Sequence, residues 1–187
     1  MTLLALVLSH AGDPAGEPGL AFTFVVGETR RAHRWDVRGG KAEVTWTDAN
    51  KTCRYVVPVP YAGDDPKAMD AWAMFVNDQY WLLAPSKLDD PGTKVEQKGD
   101  DLHVSYENVG LTPGDRYVFH VDAATGEIEG WEYTLESGRT GKWTWAPSTK
   151  VGGLRLSLER TGEARSIRFE DVRSEPITLG EAGGSCS

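Results

Sequence analysis

The feature that most limits what this chain can become is a single long helical period, residues 66–83, set between two series of strand-like segments. Asp65-Pro66 opens it, since aspartate caps a helix and proline suits the first helical position. Met69, Trp72, Ala73, Val76, Tyr80 and Leu83 then recur at helical spacing as one apolar stripe. Trp81 and Leu82 widen the stripe near its end, where Pro85 stops the helix. One helix this aromatic must bury itself against something large, and the rest of the chain offers strands for that purpose.

Those strands read as sequential and antiparallel. Residues 30–38 and 41–48 flank Gly39-Gly40, a pair that suits a two-residue hairpin turn. That turn places Val37 opposite Ala42, Trp35 opposite Val44 and His33 opposite Trp46 on one face. The other face then carries Arg38 with Lys41, Asp36 with Glu43 and Arg34 with Thr45. One face is apolar and the other charged, so the hairpin belongs to a sheet with one face in water. Further strands are expected at 20–27, 51–58, 93–98, 101–107, 116–122, 127–136, 141–147, 154–160 and 165–174. A meander of about ten strands with one wet face has to curl to cover its apolar side. The expected fold is therefore mainly β (α+β): a single strongly curved antiparallel sheet, a half-barrel, wrapped around a central helix.

Length and charge narrow the function. At 187 residues the chain suits one domain that can bury a core without metals. A net charge of −8 opposes binding to nucleic acid and to an anionic membrane surface. No stretch approaches the roughly 20 apolar residues that span a bilayer. Residues 3–8 (LLALVL) followed by Ser9-His10-Ala11 look like the end of a secretory signal. Residues 1–19 are accordingly read as a signal-peptide remnant and linker, 20–176 as the folded domain, and 177–187 as a flexible tail. Cys53 and Cys186 permit one disulfide in an exported protein. The second lies in a Gly/Ser-rich tail, which favours two unpaired thiols.

Three stretches, VNDQYWLLAPSKLDDPG (76–92), VGLTPGDRYVFHVDAATGEIEGWEY (109–133) and SIRFEDVRSEP (166–176), resemble an uncharacterised family of bacterial exported proteins. That family is similar in fold to the lipoprotein-carrier superfamily typified by LolA and LolB. The resemblance implies an open β-barrel with a helical plug, whose apolar concave surface can hold acyl chains. It also implies a periplasmic or secreted location. Members carry a helix before the first strand; here about 19 residues precede it. The matching motifs are turn and core motifs, so no functional residue is carried over.

Residues able to carry chemistry are few. His10, His33, His103 and His120 show no metal-ligand spacing. His33 falls on the apolar face, where a lone histidine is ordinarily a hydrogen-bonded core residue. The pairs Asp64-Asp65, Asp89-Asp90 and Asp100-Asp101 sit beside Pro or Gly and read as turns and caps. Glu127, Glu129, Glu132 and Glu136 read as a solvated strand face, and no serine has a G-x-S-x-G setting. The chain is thus expected to be non-catalytic, monomeric, and without cofactor or metal. Its seven tryptophans read either as plain hydrophobic core or, in part, as the lining of a pocket between the helix and the sheet, which the resemblance implies would hold an apolar ligand, a lipid or a lipoprotein acyl chain. The candidate lining is Trp35, Trp46, Met69, Trp72, Phe119 and Trp131. A cell-envelope interaction module with a filled core is the alternative, and a hydrolase using His33 or His120 is a third reading.

Overall fold

The computed structural model describes residues 1–107 and 110–187; the second of the three resembling stretches begins at Val109, outside them. Strands β1 (Leu20–Val26), β2 (Thr29–Asp36), β3 (Lys41–Asp48) and β4 (Lys51–Pro58) form a first meander. Helix α2 (Pro66–Leu83) follows helix α1 (Leu3–Ala11) in chain order. A second meander then runs through β5 (Thr93–Lys98), β6 (Asp101–Tyr106), β7 (Arg116–Val121), β8 (Ile128–Thr134) and β9 (Thr140–Trp145). A small ribbon, β10 (Thr149–Val151) with β11 (Leu154–Leu156), leads into β12 (Glu159–Gly162), β13 (Ser166–Ser174) and β14 (Gly183–Cys186). The main sheet has 12 strands in the order β14-β4-β3-β2-β1-β13-β12-β9-β8-β7-β6-β5. β13 and β12 join the two meanders edge to edge, and the sheet stays open between β5 and β14. A twisted sheet this wide curls, and its concave face takes α2.

Alternation along each strand decides which side chains enter the concavity. Phe22, Phe24, Val44, Trp46, Phe119, Trp131, Trp143 and Ile167 join α2's Phe75, Leu82 and Leu83 in one core. Helix α2 starts as its sequence dictates, with the Asp65 carboxylate accepting from the Lys67 and Ala68 N–H groups at 2.8 and 3.1 Å. The deepest face of the helix is not the expected stripe, however. It carries Ala68, Ala71, Phe75, Asp78, Gln79, Leu82 and Leu83, so that of the expected stripe Leu83 is buried while Met69 is 38% exposed. Two polar residues on the buried face hide it from a hydrophobic-periodicity argument.

The β2–β3 register differs from the expected one by two residues. Asp36 pairs with Lys41, Trp35 with Ala42, His33 with Val44 and Arg31 with Trp46, leaving Val37–Gly40 as a four-residue turn. Asp36 causes this: its carboxylate accepts the Gly39 N–H at 2.7 Å and closes the turn early. The two-residue turn would have set Asp36 against Glu43 and Arg38 against Lys41, and like charges directly opposite one another are unfavourable. The observed register sets Arg34 against Glu43, which also pairs with Arg54 at 2.6 Å. A shift of two keeps every side chain on its face, so the apolar and charged sides survive.

Both chain ends are ordered against the sheet. Residues 3–11, expected within a signal remnant, form α1, capped by Thr2 and burying Leu3, Val7 and Ala11 against the turn after α2 and β11. Gly12 ends it at φ 84°, where a Cβ would meet the Gly153 carbonyl oxygen at 2.5 Å. Residues 177–187, expected to be flexible, bury Ile177 and Leu179 against Ala21 and Val56. They then add β14 to the edge of β4. Cys186 pairs with Cys53 in that ladder, and the two form a disulfide, correcting the expectation of free thiols. The strand expected over 154–160 is divided into β11 and β12, which with the unexpected β10 and β14 accounts for the larger strand number among the described residues.

Candidate functional site

The concavity is wider than one helix. Under the first half of α2 it is filled: Phe75 meets Trp35 edge-on at 5.6 Å and lies 6.0 Å from His33. Beside the second half a cleft of about 560 Å³ stays open. That is within the roughly 300–1,000 Å³ of small-ligand sites. Val76, Tyr80 and Trp81 of α2 form one wall, Phe24, Val26 and Ile167 of β1 and β13 another, and Tyr106, Tyr117 and Tyr133 of β6–β8 the third.

The tyrosine wall is built by register. Tyr117 stands opposite Tyr133, and Tyr133 opposite Gly141, all on the inner face. A Cβ on Gly141 would lie 2.4 Å from the Tyr133 ring, so the missing side chain gives that ring its place. Tyr80 reaches down from α2 to lie 5.5 Å from Tyr117 and 5.9 Å from Trp131, and its hydroxyl hydrogen-bonds that of Tyr106. Behind this wall Trp131 contacts Trp81 at 4.7 Å and Phe119 at 5.4 Å.

Burial pushes the Tyr80, Tyr106 and Tyr117 hydroxyls above the ordinary tyrosine range. The unfolded chain would release these protons near pH 10, whereas the folded chain retains them. Stability contributed by the wall is therefore complete below about pH 10 and declines as pH rises through the folded-state values. Denaturant midpoints should be level from neutrality to that point and fall above it. Level midpoints beyond it would mean that the wall is hydrated.

One polar cluster crosses the concavity. Asp78 of α2, fully buried, accepts from Arg31 Nη2 at 2.6 Å, from His33 Nε2 at 2.8 Å and from the Asn77 amide at 2.9 Å. It ties the helix to β2. His33 is the core histidine expected from its face, stacked on Phe22 at 4.7 Å. His120 lies on the outer face between Asp101 and Glu132, at 2.9 and 3.3 Å. Among the described residues no group of three or more His, Cys, Asp or Glu side chains is placed to hold a metal.

The six residues selected from sequence do not converge. Phe119 and Trp131 are fully buried behind the tyrosine wall. Trp46 packs on Tyr55 at 5.8 Å, and Trp35 and Trp72 are half-buried around the first half of α2. None of the six lines the open cleft. Its tyrosines were visible in the alternation of β6–β8, but tryptophan content drew attention to the filled side. A larger concavity, about 1220 Å³, spans β5–β9 and the turn after β12; its lining is rich in charged side chains, among them Glu132 paired with Lys142 at 2.8 Å, and it shares Arg165 with the cleft.

No protein-family model and no curated protein matches this sequence. Among solved structures the chain is similar to a LolA superfamily protein from Nitrosomonas europaea, with TM-score 0.51 at 9% identity over 94% of this chain and 93% of that one. The fold is LolA-like. A DUF1329 family protein from Desulfovibrio piger aligns over 95% of this chain and 93% of its own, at 11% identity and TM-score 0.46. Helix α1 stands before the first strand, where the sequence was read as a signal remnant and linker. Among the described residues no helix is long and apolar enough to cross a membrane.

Proposed function

We propose that this chain is a non-catalytic, exported bacterial carrier, periplasmic or secreted and monomeric, that holds one acyl chain or similar apolar group in the tyrosine-walled cleft. The open, largely apolar space beside the second half of α2 carries the reading. The LolA-like fold supports it, because the superfamily named by the sequence resemblance holds acyl chains on the same concave face. The Cys53–Cys186 disulfide supports export, since disulfides persist in oxidising compartments. Binding would be driven by apolar burial, about 0.8 kcal/mol per methylene before the entropy of association is subtracted. The sequence-selected Phe119 and Trp131 would act from behind, by holding the tyrosine wall in place.

Native mass spectrometry of protein from its native host is the direct test, and one bound species of lipid mass is expected. After stripping, the wild type should take up a fluorescent fatty acid. Val76→Trp, which fills the cleft from the α2 side, should weaken that uptake about tenfold or more, or about 1.4 kcal/mol. A clean mass with no uptake by the wild type would instead leave a cell-envelope interaction module.

A further inference from the structure

On a chain of net charge −8, the cleft mouth collects cations. Arg31, Lys87, Arg139 and Arg165 line it, against the carboxylates of Asp90 and Asp115. Most of these charges are engaged. Arg31 is held by Asp78 and Lys87 by Asp90 at 2.5 Å. Asp115 accepts from the Thr112 hydroxyl at 2.6 Å and from the Glu136 N–H at 2.9 Å. Arg139 and Arg165 pair with no carboxylate among the described residues, and Glu136 and Glu163 on the same turns do not line the cleft.

Backbone pairing turns both arginines inward. Tyr133 is opposite Gly141, so the next inner-face pair on β8–β9 is Leu135 with Arg139, joined by the Leu135 N–H to the Arg139 carbonyl at 2.8 Å. On β12–β13 the corresponding pair is Gly162 with Arg165, joined at 2.9 Å. Two residues deeper on β12 lies Arg160, fully buried and without a carboxylate partner among the described residues. Its guanidinium donates to the carbonyls of Ser157 at 2.6 Å and Trp81 at 2.9 Å, and stacks 3.5 Å from Trp145. Arg160 pairs across the ladder with Ile167, and both Ile167 and Trp81 line the cleft. Arg160 does not itself line the cleft; it lies behind those two residues, and a buried cation there is poorly screened.

We infer that the ligand is an amphiphile with an anionic headgroup, carboxylate or phosphate, seated between Arg139 and Arg165 with its chain against the tyrosine wall. This rests on the carrier reading and names its ligand class. Matched dodecyl probes test it by calorimetry on stripped protein: laurate, dodecyl phosphate, dodecanol and dodecyltrimethylammonium. Wild type should bind the anions about tenfold or more tighter than dodecanol, with the preference shrinking as salt rises. The ratio of laurate to dodecyl phosphate identifies the headgroup. Arg139→Gln with Arg165→Gln, both exposed positions, should remove the preference, bringing laurate and dodecyl phosphate to the affinity that the same variant shows for dodecanol. Equal binding of laurate and dodecanol by wild type overturns the anionic class and leaves the carrier standing. A preference that survives the double variant overturns the arginine assignment. Binding of none of the four overturns the carrier reading itself.

Discussion

Asp78→Ala is expected to destabilise the protein by about 3–5 kcal/mol, because removing one member of a buried charged cluster leaves the others desolvated and unpaired. Asp78 is fully buried, and its two oxygens meet Arg31 at 2.6 Å and His33 at 2.8 Å. The Arg31 Nε and His33 Nδ1 are already buried without partners, so neither side chain has a second acceptor to turn to. The effect should be larger than that of Asp78→Asn, which keeps a carbonyl acceptor and the same volume. Because Asp78 joins α2 to β2, its loss should also loosen the helix on the sheet. Urea denaturation of the three proteins reads the first effect and amide exchange across α2 the second. A loss below about 1 kcal/mol for the alanine variant would mean that water reaches the cluster.

Replacing Cys53 and Cys186 together with serine is expected to cost up to about 5 kcal/mol, the chain-entropy value for so long a closed loop. The bond spans a sequence separation of 133 and fastens the last strand to β4. In the folded state its loss releases chiefly β14, whose Gly183 and Gly184 contribute no side-chain packing of their own. Amide exchange should therefore quicken in β14 and on the matching edge of β4, while the tyrosine wall keeps its protection. Denaturation with and without reductant gives the stability difference. Equal midpoints would show that β14 is held by its ladder and by the packing of Ile177 and Leu179.

The helix start at Asp65-Pro66, the positions of most strands and the two faces of those strands were legible in the sequence. These depend on local backbone preference and on periods of 3.6 and 2, which a linear reading can see. The half-barrel followed from them, since a long meander with one apolar face and a single aromatic helix has few other ways to cover itself. Turn closure was less legible. Gly39-Gly40 permitted a two-residue hairpin, and it took Asp36 accepting the Gly39 N–H to move the register by two. The charge pairs across the strands carried that information.

What tertiary structure alone decided is where distant segments meet. Asp78 reads as a surface residue of α2 until Arg31 and His33 arrive from β2, 47 and 45 positions away. Cys186 reads as a tail residue until β14 finds the free edge of β4. The cleft has no signature of its own, because it is the part of the concavity that one helix cannot fill, and its place depends on how α2 sits. Composition could give the number of tryptophans, but tertiary packing decided that Trp81 alone among them lines the cleft, beside the tyrosines. The inward turn of Arg139 and Arg165 likewise needed the ladder register. Local sequence determined the elements and their faces, through short-range sterics and periodicity; long-range pairing decided the site, because a cleft is a relation between elements and belongs to none of them.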